Sequence, residues 1–314
     1  MKDPVNVLGV DFSGAAHDNN TWMAQGWLND GGLELVSCQR VSRGEVADTL
    51  EGSPARTVAS LDFPFSVPRD FAGYWMPDAR SMPQLWAGAA RMDLQAFMAL
   101  RDSFVAVRGE SKRRCDRAFP ECFSCLHKAN PNMVPMTFRG MQMLDRLWSK
   151  GCEVPPLDHQ GDGKPAPPVL LEAMPGAALR AFGLPFKGYK NGVKALELRR
   201  RILAELSQRS GVPLPNLKEF EEQCLFSHDC LDAVVAAVTA ALWAGQPELF
   251  WRPQDQGSFL PSSFLNKKSR VPKPADQPSP NEVSPPVGES NLDAAVLEGW
   301  LYAPVFIAGI PGIQ

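Results

Sequence analysis

Residues 5–14 read VNVLGVDFSG, an apolar run that ends at Asp11 and continues into a turn of small residues. Aliphatic and β-branched side chains at this density predict a buried strand. A carboxylate at the tip of a buried strand is unfavourable unless a ligand or a partner charge needs it. Asp11 is therefore the first candidate functional residue, and Ser13 and Gly14 keep the turn small enough for backbone amides to approach a phosphate.

The same pattern recurs twice further along the chain. The apolar run 57–61 ends at Asp62, and the short run 169–171 ends at Glu172. Asp62 precedes Phe-Pro, so a turn cap is an alternative interpretation of that residue. If the strands that end at Asp11 and Asp62 are parallel neighbours, their carboxylates meet at the carboxyl edge of the sheet, where open α/β sheets bind ligands.

A second pair of acids opens an alanine- and valine-rich segment, 228–244, that predicts a buried helix ending at Gly245. Asp229 and Asp232 are three residues apart and share one helix face. Either could simply cap or complement the helix N-terminus. Carboxylates that converge repel each other, however, and a divalent cation is the usual remedy. With Asp11 and Asp62, the pair predicts a Mg²⁺ or Mn²⁺ site and hence phosphate chemistry.

The order of elements predicts an α/β fold with a mixed five-stranded sheet and helices on both faces. Residues 29–32 (NDGG) indicate a hairpin between the second and third strands, and Ser42 with Glu45 predicts a capping box. We expect one domain formed by residues 1–252 and 292–314, with a mostly helical insertion at about 69–150. The Pro- and Ser-rich segment 253–291 is expected to be a flexible insertion, and a charged helix is predicted from Lys190 to Ser210.

The composition is that of an ordinary folded protein, with 44% hydrophobic and 21% charged residues among 314. The net charge of −3 means that nucleic acid would have to bind a local basic patch, such as those near 112–117 or 187–201. No apolar run is long enough for a signal peptide or a membrane span. Seven cysteines without a secretion signal are expected to be reduced thiols, and a cytoplasmic protein without a membrane partner is predicted.

Four residues are candidate zinc ligands: Cys115, Cys122, Cys125 and His127. The Cys122-x-x-Cys125 spacing supplies half of a tetrahedral site, but no second CxxC follows. Free cysteines are also common small core residues, and the core interpretation is favoured.

Several short motifs occur in an order that resembles an uncharacterised family described as predicted nucleases of RNase H-like fold. The matching stretches are 9–14 (GVDFSG), 61–65 (LDFPF), 171–175 (LEAMP), 189–190 (YK), 228–233 (HDCLDA) and 298–300 (EGW). RuvC-type resolvases of this fold place acids on the first strand, the fourth strand and the last helix. The resemblance therefore implies catalytic roles for Asp11, Asp62, Asp229 and Asp232, with Glu172 as the family's own addition.

The hypothesis that follows is a metal-dependent nuclease acting on DNA or RNA. Asp11 would bridge two Mg²⁺ or Mn²⁺ ions about 3.5–4 Å apart, one activating water and the other stabilising the leaving oxygen. Asp62, Asp229 and Asp232 would complete the metal shells. Lys190 could stabilise phosphate charge as a point cation, but the favoured interpretation of this lysine is the solvated start of a helix.

Two other functions remain open at the level of the sequence. The turn after Asp11 resembles the phosphate loops of actin-like ATPases and sugar kinases, which suggests a nucleotide-binding phosphotransferase. That architecture normally needs two copies of the core, and the chain shows one. The third possibility is a non-catalytic module that binds nucleic acid or protein.

Overall fold

The computed structural model describes residues 3–119, 121–157, 167–253 and 290–304. Its strands form one mixed sheet in the order β3-β2-β1-β4-β5. The strands are β1 (Val5–Asp11), β2 (Thr21–Asn29), β3 (Gly32–Val41), β4 (Thr57–Asp62) and β5 (Val169–Glu172). β2 is antiparallel to both of its neighbours, whereas β1, β4 and β5 are parallel. The predicted mixed five-stranded sheet is confirmed, and its order agrees with the RNase H-like arrangement that the resemblance implies.

The helices alternate with the strands and fill a long segment between β4 and β5. In chain order they are α1 (Arg43–Glu51), α2 (Arg69–Trp75), α3 (Met82–Ala90), α4 (Leu94–Arg108), α5 (Arg114–Ala118), α6 (Met133–Ser149), α7 (Pro175–Ala181), α8 (Ala195–Ser210), α9 (Glu221–Phe226), α10 (His228–Gly245) and α11 (Asn291–Glu298). The predicted capping box is present, because Ser42 Oγ accepts the Glu45 amide while the Glu45 carboxylate accepts the Ser42 amide.

Apolar side chains cover both faces of the sheet. On one face α10 lies across β1, β2 and β4, and α7, α8 and α9 pack around it. On the other face α1, α3 and α6 enclose a second core that is rich in Phe, Leu and Met. Consecutive side chains of β1 point to opposite faces of the sheet, so Val7 packs in the first core and Leu8 in the second. The prediction of helices on both faces is therefore confirmed.

Helix α10 is pressed directly onto the backbone of β1. A Cβ atom added at Gly9 would lie 2.0 Å from the Ala237 backbone nitrogen and 2.2 Å from the Ala233 carbonyl oxygen. Real side-chain carbons do not approach other atoms so closely, so only glycine permits this distance between strand and helix. The contact fixes the helix over the strand that carries Asp11.

The insertion between β4 and β5 is helical, as predicted, with α2 to α6 in its described part. One boundary in the sequence interpretation is wrong. The helix predicted from Lys190 begins only at Ala195, because Gly188 and Gly192 adopt φ of +78° and +105° and turn the chain before it. Most of the segment 253–291 lies outside the described residues. In the described part of the chain, no helix is long and apolar enough to cross a membrane.

Candidate active site

Two of the predicted acids lie side by side at the carboxyl ends of neighbouring strands. Asp11 ends β1 and Asp62 ends β4, and the two residues are direct partners in the parallel register. Both are partly buried, because Phe12 and Phe63 carry the chain into the core immediately after them. The strand-end prediction for this pair is confirmed by the register.

Helix α10 brings the other two acids to the same edge. Its N-cap is Ser227, whose hydroxyl oxygen accepts the Cys230 amide at 3.3 Å. Asp232 is fully buried on the face that packs against the sheet, whereas Asp229 is 34% exposed and lies 2.6 Å from His228 Nδ1. The three-residue spacing therefore does place both acids toward the strand ends, one deep and one near the surface.

The carboxylates of this cluster interact electrostatically, and their pKa values are shifted from the ordinary ones. Burial, followed by the charges of Asp232 and Asp62, raises the pKa of Asp11 well above its ordinary value. Burial likewise raises the pKa of Asp62 from 3.8 to about 7, against the opposing charge of Lys190. Asp229 moves the other way: burial alone would raise its pKa, but the hydrogen bond and charge of His228 lower it.

Lys190 is the cation of this cluster. Its Nζ lies 2.7 Å from Asp232 Oδ2, and the Tyr189 hydroxyl donates to Asp232 Oδ1 at 2.7 Å. Burial opposes the charged form of Lys190, but Asp232, Asp11 and Asp62 together raise its pKa. The half-exposed lysine therefore belongs to the site, and the expectation that it is a solvated helix start is wrong.

The donor set suits a hard divalent cation, since carboxylate oxygens are the ligands that Mg²⁺ and Mn²⁺ prefer. With Lys190 bound to Asp232, however, the carboxylates are not arranged as a set of metal ligands. Among the described residues, no group of three or more His, Cys, Asp or Glu side chains is positioned to hold a metal ion. Asp232 Oδ2 is buried and accepts no well-formed hydrogen bond, although the ammonium group is close to it. A cation bound at Asp232 must therefore displace or share the place of that ammonium group.

Glu172 is engaged elsewhere. Its carboxylate forms a two-pronged ion pair with Arg113, at 2.5 and 2.8 Å, and accepts the Phe65 amide at 2.9 Å. Arg113 also binds Asp116 through Nε and Nη2. Glu172 and Arg113 are both almost completely buried. These contacts give Glu172 the structural role of joining β5 to the insertion, and its catalytic role stays a prediction.

The terminal motif 298–300 belongs to the same buried network. The Glu298 carboxylate accepts the backbone amides of Arg69 and Arg114, each at 2.7 Å, and its carbonyl oxygen accepts from Arg113. Gly299 follows with φ of +79°, and Trp300 Nε1 donates to the Trp251 carbonyl. The motif therefore ties the end of the described chain to the insertion.

The turn after Asp11 is held by arginines. Its Ser13 amide donates to Thr21 Oγ1, so that amide is occupied. A Cβ at Gly14 would lie 2.2 Å from the Asn132 carbonyl, which gives this glycine a packing reason at the start of α6. The carbonyl groups of the turn accept hydrogen bonds from Arg43 and Arg139. Phosphate binding by Ser13 and Gly14 stays a prediction.

The residues weighed for zinc make separate contacts. Cys115 Sγ lies near the Gly299 carbonyl, Cys122 Sγ contacts Met174 Sδ, and His127 Nδ1 lies 2.7 Å from Glu110. Cys125 is buried in the second core. All seven cysteines are free and buried, and Cys38 and Cys230 approach to 3.0 Å between their sulfur atoms.

Sequence reasoning missed two cations near the site, Arg40 and Arg139. Arg40 stacks on the ring of Trp22 at 5.4 Å, and its charge helps to lower the pKa of Asp229. A signal for it existed, because β3 ends at the same edge as β1. Arg139 lies in the insertion, where no local pattern indicates that it reaches the turn after Asp11. Arg113 belongs to the basic group near 112–117, but its buried partner Glu172 was not predicted.

Comparison with known proteins identifies one family over most of the chain. A family model described as "Protein of unknown function (DUF429)" matches residues 9–256, a span that contains Asp11, Asp62, Glu172, Asp229 and Asp232 but not Glu298. No curated protein and no solved structure matches the chain.

Proposed function

The chain belongs to the DUF429 family, whose function is unknown, and we propose that it is a metal-dependent phosphodiesterase acting on nucleic acid. One observation carries the proposal: Asp11, Asp62, Asp229 and Asp232 come from three separate elements to the carboxyl ends of β1 and β4, where burial and then the neighbouring carboxylates raise the pKa of Asp11 and Asp62. Carboxylates with strongly shifted pKa values at the carboxyl ends of the strands of an α/β sheet are more typical of functional sites than of structural ion pairs.

The proposed reaction is hydrolysis of a phosphodiester. A divalent cation bound by the carboxylates would supply Lewis-acid stabilisation of the phosphoryl oxygens and a more acidic water. Asp62 lies directly beside Asp11 at the strand ends, and its ionised carboxylate would accept the proton of the attacking water. Water attacks phosphorus, the bond from phosphorus to the leaving oxygen breaks, and the half-exposed Lys190 offers ammonium donors to the charge that develops.

The decisive experiment compares wild type with Asp11→Asn in the hydrolysis of bis(p-nitrophenyl) phosphate and of labelled oligonucleotides, with Mg²⁺, Mn²⁺ or EDTA. We expect activity that needs the metal and falls roughly a hundredfold or more in the variant, since a group at the reacting centre is removed. Asp30→Asn is the matched control, because Asp30 lies in the β2–β3 hairpin at the opposite edge of the sheet.

Two outcomes would redirect the assignment. Full metal-dependent activity in Asp11→Asn would remove the carboxylate cluster from the chemistry. Thermal stabilisation by ATP without diester hydrolysis would favour the nucleotide-binding alternative, against which the described residues supply one core sheet and not two.

A further inference from the structure

A groove of about 330 Å³ lies between α1 and α6, on the face of the sheet opposite α10. Three arginines and one glutamine supply its polar lining: Arg43, Arg139, Arg146 and Gln142. Ala47 and Met143 form part of its apolar wall. The groove begins beside the turn that follows Asp11, since Arg43 and Arg139 both bind the carbonyl groups of that turn.

The arginine end of the groove carries positive charge that the protein itself does not fully neutralise. Arg43 Nε lies 3.3 Å from the partly exposed Asp18. Arg139 donates through Nη1 alone to the Gly14 and Ala15 carbonyls, and among the described residues no carboxylate lies within 4 Å of it. Burial lowers the pKa of Arg43 and the charge of Asp18 opposes that shift, whereas the like charge of Arg139 lowers the pKa further.

The two guanidinium groups are also held in place. Their hydrogen bonds to the Ser13, Gly14 and Ala15 carbonyls leave Nε and Nη2 of Arg139 without a partner among the described residues. Planar guanidinium donors with fixed orientation are suited to phosphate oxygens. At the far end Arg146 is paired with Asp48 and Glu51, each at 2.6 Å. The anion-binding capacity is therefore greatest at the end of the groove beside the turn after Asp11.

We propose that this groove binds the phosphodiester backbone of a nucleic-acid strand whose neighbouring phosphate lies at the carboxylate cluster. The inference rests on the proposed function and deepens it, because it makes the substrate a strand and not a mononucleotide. Arg43 and Arg139 contact phosphate oxygens, and they join the turn after Asp11 to the bound strand. Backbone contacts of this kind position a strand without reading its sequence.

Gln142 offers a test that leaves the arginines and the turn untouched. It lines the groove, is partly exposed and donates only to the Ala89 carbonyl among the described residues. We would measure the anisotropy of a labelled single-stranded oligonucleotide in EDTA, where hydrolysis is suppressed. Gln142→Lys should tighten binding about fivefold at low salt, and Gln142→Glu should weaken it by a similar factor, as expected for one charge about 4 Å from a phosphate in water.

The salt dependence gives a second readout. The slope of log K against log[salt] should become steeper by about one for Gln142→Lys, because one more counterion is released on binding. The matched control is the pair Gln208→Lys and Gln208→Glu on exposed α8, which packs on the opposite face of the sheet. That pair makes the same charge changes and should leave the affinity within twofold of wild type.

Two results would overturn the proposal that the groove binds a nucleic-acid strand. The first is equal affinity of Gln142→Lys and Gln142→Glu, or an equal response at Gln208. The second is inorganic phosphate that competes at the same concentration as the oligonucleotide, since a strand makes several phosphate contacts and one ion makes one. An oligonucleotide with an uncharged methylphosphonate backbone should bind the two Gln142 variants alike.

The same variants separate this proposal from the proposed function. Hydrolysis of bis(p-nitrophenyl) phosphate reports on the carboxylate cluster, and Gln208 lies outside both the cluster and the groove, so wild type and the two Gln208 variants should hydrolyse this diester at equal rates. If wild type fails to hydrolyse that diester, the proposed function is wrong, and the binding results in EDTA still decide the groove. If wild type hydrolyses the diester but the Gln142 variants bind the strand with equal affinity, only the proposal that the groove binds a strand is contradicted.

Discussion

Lys190 Nζ lies 2.7 Å from Asp232 Oδ2, so a half-exposed ammonium group neutralises a carboxylate that is otherwise fully buried. The lysine stands just before α8, and the acid lies on α10. A bound divalent cation would carry out the same neutralisation. Lysine and metal are therefore expected to compete for the same charge.

Replacement of Lys190 by Met should separate metal binding from turnover. We expect Mn²⁺ to bind more tightly, because the ammonium group no longer occupies Asp232, and diester hydrolysis at saturating metal to fall about tenfold or more, because a cation that faces the phosphate is lost. Thermal-shift titration gives the affinity and steady-state kinetics the rate. Lys194→Met, an exposed neighbour, serves as the control. Unchanged affinity for Mn²⁺ would show that the lysine does not compete.

The raised pKa of Asp62 predicts a pH dependence of stability. The folded protein holds this proton up to about pH 7, whereas the unfolded chain releases it near 3.8. The free energy of unfolding contributed by Asp62 is therefore complete below about pH 4 and is lost as the pH rises toward 7. In EDTA, the melting temperature of wild type should fall across this window more steeply than that of Asp62→Asn.

Saturating Mg²⁺ should flatten the wild-type profile, because a bound cation favours the ionised carboxylate. Parallel profiles of wild type and Asp62→Asn in EDTA would contradict the raised pKa. Asp30→Asn controls for the loss of one exposed carboxylate.

Glu172→Gln tests whether that residue is structural. The substitution leaves Arg113 buried with one carboxylate partner fewer, and breaking a buried ion pair in this way lowers the free energy of unfolding by ~3–5 kcal/mol. Urea denaturation measures that loss. Well below the melting temperature, we expect diester hydrolysis within about tenfold of wild type. A loss as large as that of Asp11→Asn, with unchanged stability, would instead make Glu172 catalytic.

Gly9→Ala tests the contact between β1 and α10. The new methyl group would meet backbone atoms of Ala233 and Ala237 that cannot rotate away, so we expect a loss of at least ~3 kcal/mol in the free energy of unfolding or an insoluble protein. Gly73→Ala in α2 is the control. Nothing lies within 4 Å of its new Cβ, and alanine favours a helix by ~0.5–1 kcal/mol. Equal stability of the two variants would contradict the close approach of α10.

The carboxyl ends of the strands can be predicted from the sequence, because an apolar run that stops at an acid indicates both a buried strand and the residue at which it ends. These runs predict that Asp11 and Asp62 meet if their strands are parallel neighbours, which the register confirms, and the spacing of Asp229 and Asp232 predicts their shared helix face. These are local patterns with a fixed period, which is why they could be extrapolated.

The remaining features depend on tertiary contacts. The partner of Glu172 is Arg113, which lies in the insertion and makes an ion pair over a long sequence separation. Arg139 reaches the turn after Asp11 from the middle of α6. Lys190 was assigned to a helix because its neighbourhood is charged, but two glycines with positive φ hold it in a turn that faces Asp232. No periodicity in the chain encodes these pairings.

The close seating of α10 on β1 also determines when the site can exist during synthesis. Chains fold from the N-terminus as they leave the ribosome, so the hairpin of β1 and β2 is available early, while Asp232 is among the last elements of the core to be made. A nascent chain that stops before α10 carries Asp11 and Asp62 but lacks the helix that brings in the other two acids. The complete carboxylate cluster therefore arises only when nearly the whole fold has been translated, and truncated products are released without it.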